Sequence, residues 1–175
     1  ILSFFCVNSF RLNPGQLGWR GASYGYLVGG GVLGLICMPA LGTLAAKIRQ
    51  LYQGTDHNPQ LDHLLLVDAS TTQWVVMAIL VTVVVPFAEE LLYRGVFFGC
   101  VERATNAWVA ILMSAALFGL VHYDLANSIG TGLLGLVCGL LRARTGSIMP
   151  AVAVHMSFNA LGFWVMVTYA QASGS

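Results

Sequence analysis

The sequence predicts an all-α protein: a polytopic transmembrane bundle of about five full spans, preceded by a truncated N-terminal helix. Three observations predict it. The 175 residues are 57% hydrophobic and only 9% charged, against about 25% charged in soluble domains. Mean hydropathy is +0.77. Stretches free of Asp, Glu, Lys and Arg cover Gly21 to Ala46, Ala69 to Ala88, Ala104 to Tyr123, Leu125 to Leu141 and Thr145 to Ser175. A helix needs roughly 20 apolar residues to cross the hydrocarbon core. With no water in that core, backbone polar groups must pair within the segment, which favours helix over open strand.

The elements follow in order. Ile1 to Phe10 is apolar but too short to span, and reads as the tail of a helix whose start is missing. Arg11 to Arg20 is a polar connector carrying the turn signal Asn13-Pro14-Gly15. The first full helix is expected over Ser23 to Lys47, where Gly25/Gly29 and Gly30/Gly34 have the small-residue spacing that admits a close neighbour. Ile48 to Thr72 is the longest polar segment, and its Leu61 to Val67 piece suits a short interfacial helix. His57 and His63 there read as solvated or interfacial. The second full helix starts near Gln73 and continues to about Glu102, with a kink expected at Pro86. The third runs from about Asn106 to His122, the fourth from Asn127 to Ala143, and the fifth from Ile148 to Tyr169. Gly135 and Gly139 repeat the small-residue spacing on the fourth. Residues 1–175 form a single transmembrane domain in this reading.

Cys6, Cys37, Cys100 and Cys138 are far apart and form no CxxC pair, so they read as small buried side chains. The net charge of +1 says nothing about nucleic acid, and with no basic run to suggest it, no nucleic-acid partner is expected. Strict alternation of the spans gathers Arg11, Arg20, Arg103, Arg142 and Arg144 on one side. Lys47 and Arg49 fall on the other, with Asp56, Asp62, Asp68 and Asp124. The first side is therefore expected to be cytoplasmic.

Several ionisable residues lie where lipid should forbid them. Glu89, Glu90 and Arg94 sit in the second helix, and each central charge costs roughly 2.5–3.5 kcal/mol on insertion scales. Glu90 and Arg94 are one turn apart and can pair. Glu89 lies about 100° round an α-helix and needs another partner. His122 ends the third helix, one turn after Phe118, and His155 precedes Asn159 by one turn on the fifth. Each alone has a structural explanation, as ion pair, buried histidine or interhelical amide. Together, at mutually reachable depths, they point to a polar catalytic cavity.

Three motifs carry the set: Glu89-Glu90-Leu91-Leu92-Tyr93-Arg94 (EExxxR), Phe118-Gly119-Leu120-Val121-His122 (FxxxH) and His155-Met156-Ser157-Phe158-Asn159 (HxxxN). In this order, on three apolar helices, they resemble the CPBP family of CAAX proteases and bacteriocin-processing enzymes (Abi), which includes the type II CAAX prenyl endopeptidases. The resemblance spans about residues 73–161. It implies an intramembrane endopeptidase that hydrolyses a peptide bond in a membrane-associated or lipidated substrate. Glu89 and His122 would then position and deprotonate a water, and His155 and Asn159 would donate to the oxyanion. Glu90 and Arg94 would hold the site in shape. The chemistry is consistent with this: hydrolysis needs a base and donors aimed at developing negative charge.

Zinc stands as the alternative cofactor, because Glu89, His122 and His155 form a two-histidine, one-carboxylate set. The metal-free scheme is preferred: no HExxH is present, and Asn159 suits an oxyanion better than zinc. Asp124 reads as a loop carboxylate. The competing functions are an ion or proton transporter, which uses the same buried residue types, and a catalytically silent scaffold or immunity protein. The expected partners are the lipid bilayer and a peptide or protein substrate. The expected location is a bacterial inner membrane, with the active site open to the cytoplasm.

Overall fold

A computed structural model describes residues 15–58, 70–122 and 124–173, with side chains as far as Tyr169. The expectations for Ile1 to Phe10, for Leu61 to Val67 and for His63 lie outside the described residues. Among the described residues, five helices follow one another: α1 (Tyr24–Gln53), α2 (Thr71–Ala104), α3 (Ala107–Leu120), α4 (Leu125–Thr145) and α5 (Met149–Ser173). No strand occurs among the described residues.

The helix starts are written locally. Ser70 and Gln73 form a reciprocal capping box before α2. Asn106 accepts from the Val109 N–H at 3.1 Å, and Asp124 accepts from the Asn127 N–H at 2.9 Å. At the end of α4, Gly146 adopts φ 65° and donates back to the Arg142 carbonyl. A side chain there would be strained and would also strike the Arg20 guanidinium.

α4 is the central helix, touching α1, α3, α5 and part of α2. α1 packs along α5, while α2 meets α5 with its first half and α3 with its second. The bundle is apolar outside and keeps charged side chains in an otherwise apolar interior. Val32, Ile36, Val75, Ile79 and Leu112 are exposed, whereas Arg49, Glu90, Arg94, Arg142 and His155 are buried. That is the arrangement lipid demands. Exposed aromatics mark the two ends. Tyr24 and Trp108 lie at one, and Tyr52, Trp164 and Tyr169 at the other, as interfacial aromatics do.

Four helices are long and apolar enough to span; α3 is a shorter apolar helix of 14 residues. Hydropathy could not separate it from the uncharged turns at its ends. α3 stops because His122 turns back to the Gly119 carbonyl, and Asp124 at once caps α4.

The expected kink at Pro86 takes a different form. α2 passes through two π-helical turns, Leu80–Val84 and Leu91–Phe97, with a short α segment between them. In the first, the Val85 N–H bonds to the Leu80 carbonyl. The next carbonyl, Val81, would take residue 86, but proline has no N–H. Asn159 of α5 fills the gap: its Nδ2 donates to the Val81 oxygen at 2.9 Å.

The expected small-residue contact is half right. A Cβ on Gly30 would meet the Pro150 carbonyl at 2.7 Å, and one on Gly34 would collide with Val154 O and Ser157 Oγ. Gly25 and Gly29 face open space. On α4, Gly135 and Gly139 press on Ala115 and Ile111 of α3. We expect Gly34→Ala to destabilise the bundle by about 1–3 kcal/mol through overpacking. Gly25→Ala should leave thermal unfolding in detergent unchanged.

Candidate active site

The buried charges of α2 are compensated within one turn. Arg94 Nη1 donates to Glu90 Oε1 at 2.9 Å, and both side chains are 0% exposed. Arg94 Nη2 reaches the Gly135 carbonyl on α4 at 3.2 Å, and its guanidinium carbon lies 4.6 Å from the centre of the Phe118 ring on α3. One arginine thus ties three helices through a hydrogen-bonded pair, an amide oxygen and a π face.

His155 comes down from α5 onto the same pair. Its Nδ1 lies 3.0 Å from Glu90 Oε1, and its Nε2 lies 3.6 Å from Glu89 Oε2. One imidazole therefore spans both carboxylates, and His155 is the partner that Glu89 was left to find. Burial divides the two acids. Glu90 is sealed, while the Glu89 side chain keeps 30% of its surface open.

Phe118 is the hinge of the packing. Its ring meets Tyr93, His122 and His155 edge to face, with centroids 5.1, 5.2 and 5.4 Å away. Such geometry favours the ring quadrupoles. His122 Nδ1 lies 2.9 Å from the Phe118 carbonyl. A carbonyl only accepts, so Nδ1 carries the proton and Nε2 of the neutral ring keeps its lone pair.

The structure thus brings Glu89, Glu90, Arg94 and His155 into direct contact, with His122 against the same Phe118 ring. Asn159 lies one turn beyond His155, with one amide N–H committed to Val81. Depth follows from the α1–α5 contact. Gly30, six residues into α1, meets Pro150 at the start of α5, and His155 lies five residues further on. It stands about halfway across a hydrocarbon core of about 30 Å.

The zinc donor set does not fit this arrangement. Among the described residues, no three His, Cys, Asp or Glu side chains converge to hold a metal ion. Glu89 and His155 meet, but His122 does not close a three-ligand cluster with them.

Two groups next to the site escaped sequence reasoning. Asp124, expected as a loop carboxylate, caps α4 and pairs with Arg49 Nε of α1 at 3.1 Å. Arg49 is buried and also donates to Asn127 Oδ1. Arg142, expected as a loop cation, is buried under the site, and its Nε donates to the Arg94 carbonyl at 3.1 Å. Proximity of Arg49 to the end of its apolar run was the only sequence signal for a buried role. Removing one partner of a buried pair typically costs about 3–5 kcal/mol. We expect Arg49→Ala to lose stability on that scale in denaturant unfolding. The double variant R49M/D124N should recover most of it, because Asn still caps the helix.

Comparison with known proteins bears on the family. The family described as "Type II CAAX prenyl endopeptidase Rce1-like" matches residues 71–161, which hold all six site residues. The chain is 34% identical over 83 residues to a Bacillus subtilis (strain 168) protein named "Putative membrane peptidase YdiL", covering 47% of this chain and 34% of that one. It is 33% identical over 81 residues to "UPF0177 protein YxdF" of Lactococcus lactis subsp. lactis (strain IL1403), covering 46% and 44%. It is also 25% identical over 103 residues to an Escherichia coli protein named "Uncharacterized 24.3 kDa protein", covering 56% and 48%. The matched stretches thus span less than half the length of each relative. No solved structure matches the chain.

Proposed function

The chain belongs to the Rce1-like family of type II CAAX prenyl endopeptidases, and on that premise we propose that it is an intramembrane endopeptidase acting through a water activated by Glu89 and His122. The observation that carries the reading is the division of labour between adjacent carboxylates. Glu90 is sealed against Arg94, while Glu89 stays open, with His155 Nε2 3.6 Å away.

In this mechanism Glu89 is the base. It is the carboxylate with access to water, and it can take a proton as the hydroxide attacks the peptide carbonyl. His122 presents an unprotonated Nε2, set by the bond from Nδ1 to Phe118, and accepts the second hydrogen bond of the same water. The tetrahedral intermediate places negative charge on the former carbonyl oxygen. His155 serves that charge as a donor. As an imidazolium it carries a proton on each nitrogen: Nδ1–H is held by Glu90, and Nε2–H points to the Glu89 side, where the oxyanion forms. Asn159 contributes the second N–H of an amide whose first N–H is anchored on Val81. The proton on Glu89 then passes to the leaving amine, which restores the base. Glu90 and Arg94 touch no reacting atom; they fix His155.

The substrate class in this reading is a membrane-associated or lipidated peptide, because the site lies at bilayer depth. Arg20, Arg103, Arg142 and Arg144 gather at one end of the bundle, and the positive-inside rule makes that end cytoplasmic. With bacterial relatives, the location is a bacterial inner membrane.

The test is cleavage of a farnesylated CAAX-type peptide, and of the same peptide without lipid, by the reconstituted protein. Glu89→Gln and His122→Ala should each abolish cleavage and leave thermal unfolding unchanged, since neither residue is sealed in the core. Cleavage retained by either variant rejects the assigned roles. Arg94→Met should differ in kind, lowering stability by about 3–5 kcal/mol together with activity, because it strands Glu90 in the core.

A further inference from the structure

At the arginine-rich end, a cavity of about 480 Å³ opens beside the end of α4. Arg20, Arg142, Arg144, Glu102, Gln16 and Thr145 line it, with Gly15, Ala143 and Gly146 completing the wall. Three arginines against one glutamate leave an excess of two positive charges. Their arrangement is graded. Arg142 forms the floor, 4% exposed, with Nε on the Arg94 carbonyl and Nη2 on the Gln16 carbonyl. Arg20 stands at the wall, its Nε on the Gly146 carbonyl at 2.7 Å. Arg144 is exposed at the mouth and has no partner among the described residues.

The cavity is recessed below the membrane rim. α5 begins level with Gly30, about 9 Å inside the first residue of α1. Tyr24 at that outer level is 81% exposed, and Trp108 at the start of α3 is 69% exposed. Such aromatics sit at headgroup depth. A recess of this depth, size and charge, reached from the headgroup layer, matches the phosphate of an anionic lipid better than a cation or an apolar chain. The fork of a guanidinium also suits paired phosphate oxygens.

We infer that this recess binds a phosphate group, held between Arg144 and Arg20 above the Arg142 floor. The cavity lies apart from the catalytic carboxylates, so the inference does not depend on the hydrolase reading.

The experiment is lipid retention by the full-length protein. The protein is purified in mild detergent from nanodiscs of phosphatidylcholine with phosphatidylglycerol, and bound lipid is counted by native mass spectrometry. Phosphatidylglycerol should be retained over phosphatidylcholine, and Arg144→Gln should weaken retention about fivefold. Arg103→Gln, a cation at the same end but outside the cavity, should leave retention unchanged. A second arm uses delipidated protein with glycerol 1-phosphate and follows thermal unfolding. Stabilisation lost in Arg144→Gln, without lipid preference, assigns the site to a free phosphate ester. Lipid preference without that stabilisation assigns it to the headgroup. Equal retention of both lipids together with no response to glycerol 1-phosphate overturns the inference. So does an equal loss in Arg103→Gln, which would mean diffuse surface attraction.

Discussion

A sealed ion pair organises this bundle. Glu90 and Arg94 have no access to water, and each alone would carry a penalty of several kcal/mol in that environment. The penalty is offset only if every neighbour cooperates. Gly135 must lack a side chain so that Arg94 can reach its carbonyl, since a Cβ there would lie 3.0 Å from Arg94 Nη2. Phe118 must present its face to the guanidinium. His155 must bring an imidazole to Glu90 rather than a methyl group. α3, α4 and α5 are each held in place by what they give to one charge pair on α2.

The same demand explains why two consecutive glutamates behave differently. Neighbours on a helix point in different directions. With Glu90 committed inward, Glu89 is carried to the edge of the core, where 30% of its side chain stays open and the far nitrogen of His155 lies 3.6 Å away. A sealed carboxylate and an open one are thereby placed on neighbouring side chains. The cation of the pair is itself fixed from below by Arg142, whose bond to the Arg94 carbonyl uses a main-chain atom and adds no opposing charge.

Much of this was legible in the sequence. The charge-free stretches located the helices, and the three motifs named Glu89, Glu90, Arg94 and His155, which meet at the centre. These signals survive because lipid punishes a misplaced charge and helical geometry fixes what shares a face. Other features were silent. A π turn differs from an α turn by one residue of hydrogen-bond register, and neither hydropathy nor Pro86 announces which remedy α2 adopts. The Arg49–Asp124 pair joins residues 75 positions apart, and a charge beside a polar connector looks the same whether buried or solvated. Gly25 and Gly34 carry the same signature, yet only one faces a neighbour, because the spacing does not say which side of α1 is covered.

The length of α3 has a consequence for the surrounding lipid. Its 14 residues extend about 21 Å, well short of a hydrocarbon slab of about 30 Å. A bilayer meets such hydrophobic mismatch by thinning beside the short element, at modest cost per ångström. α3 ends beside His122, away from the arginine-rich end. Thinning there would bring headgroups and their hydration toward that imidazole, and the oil between bulk solvent and the polar centre would be thinnest on that flank.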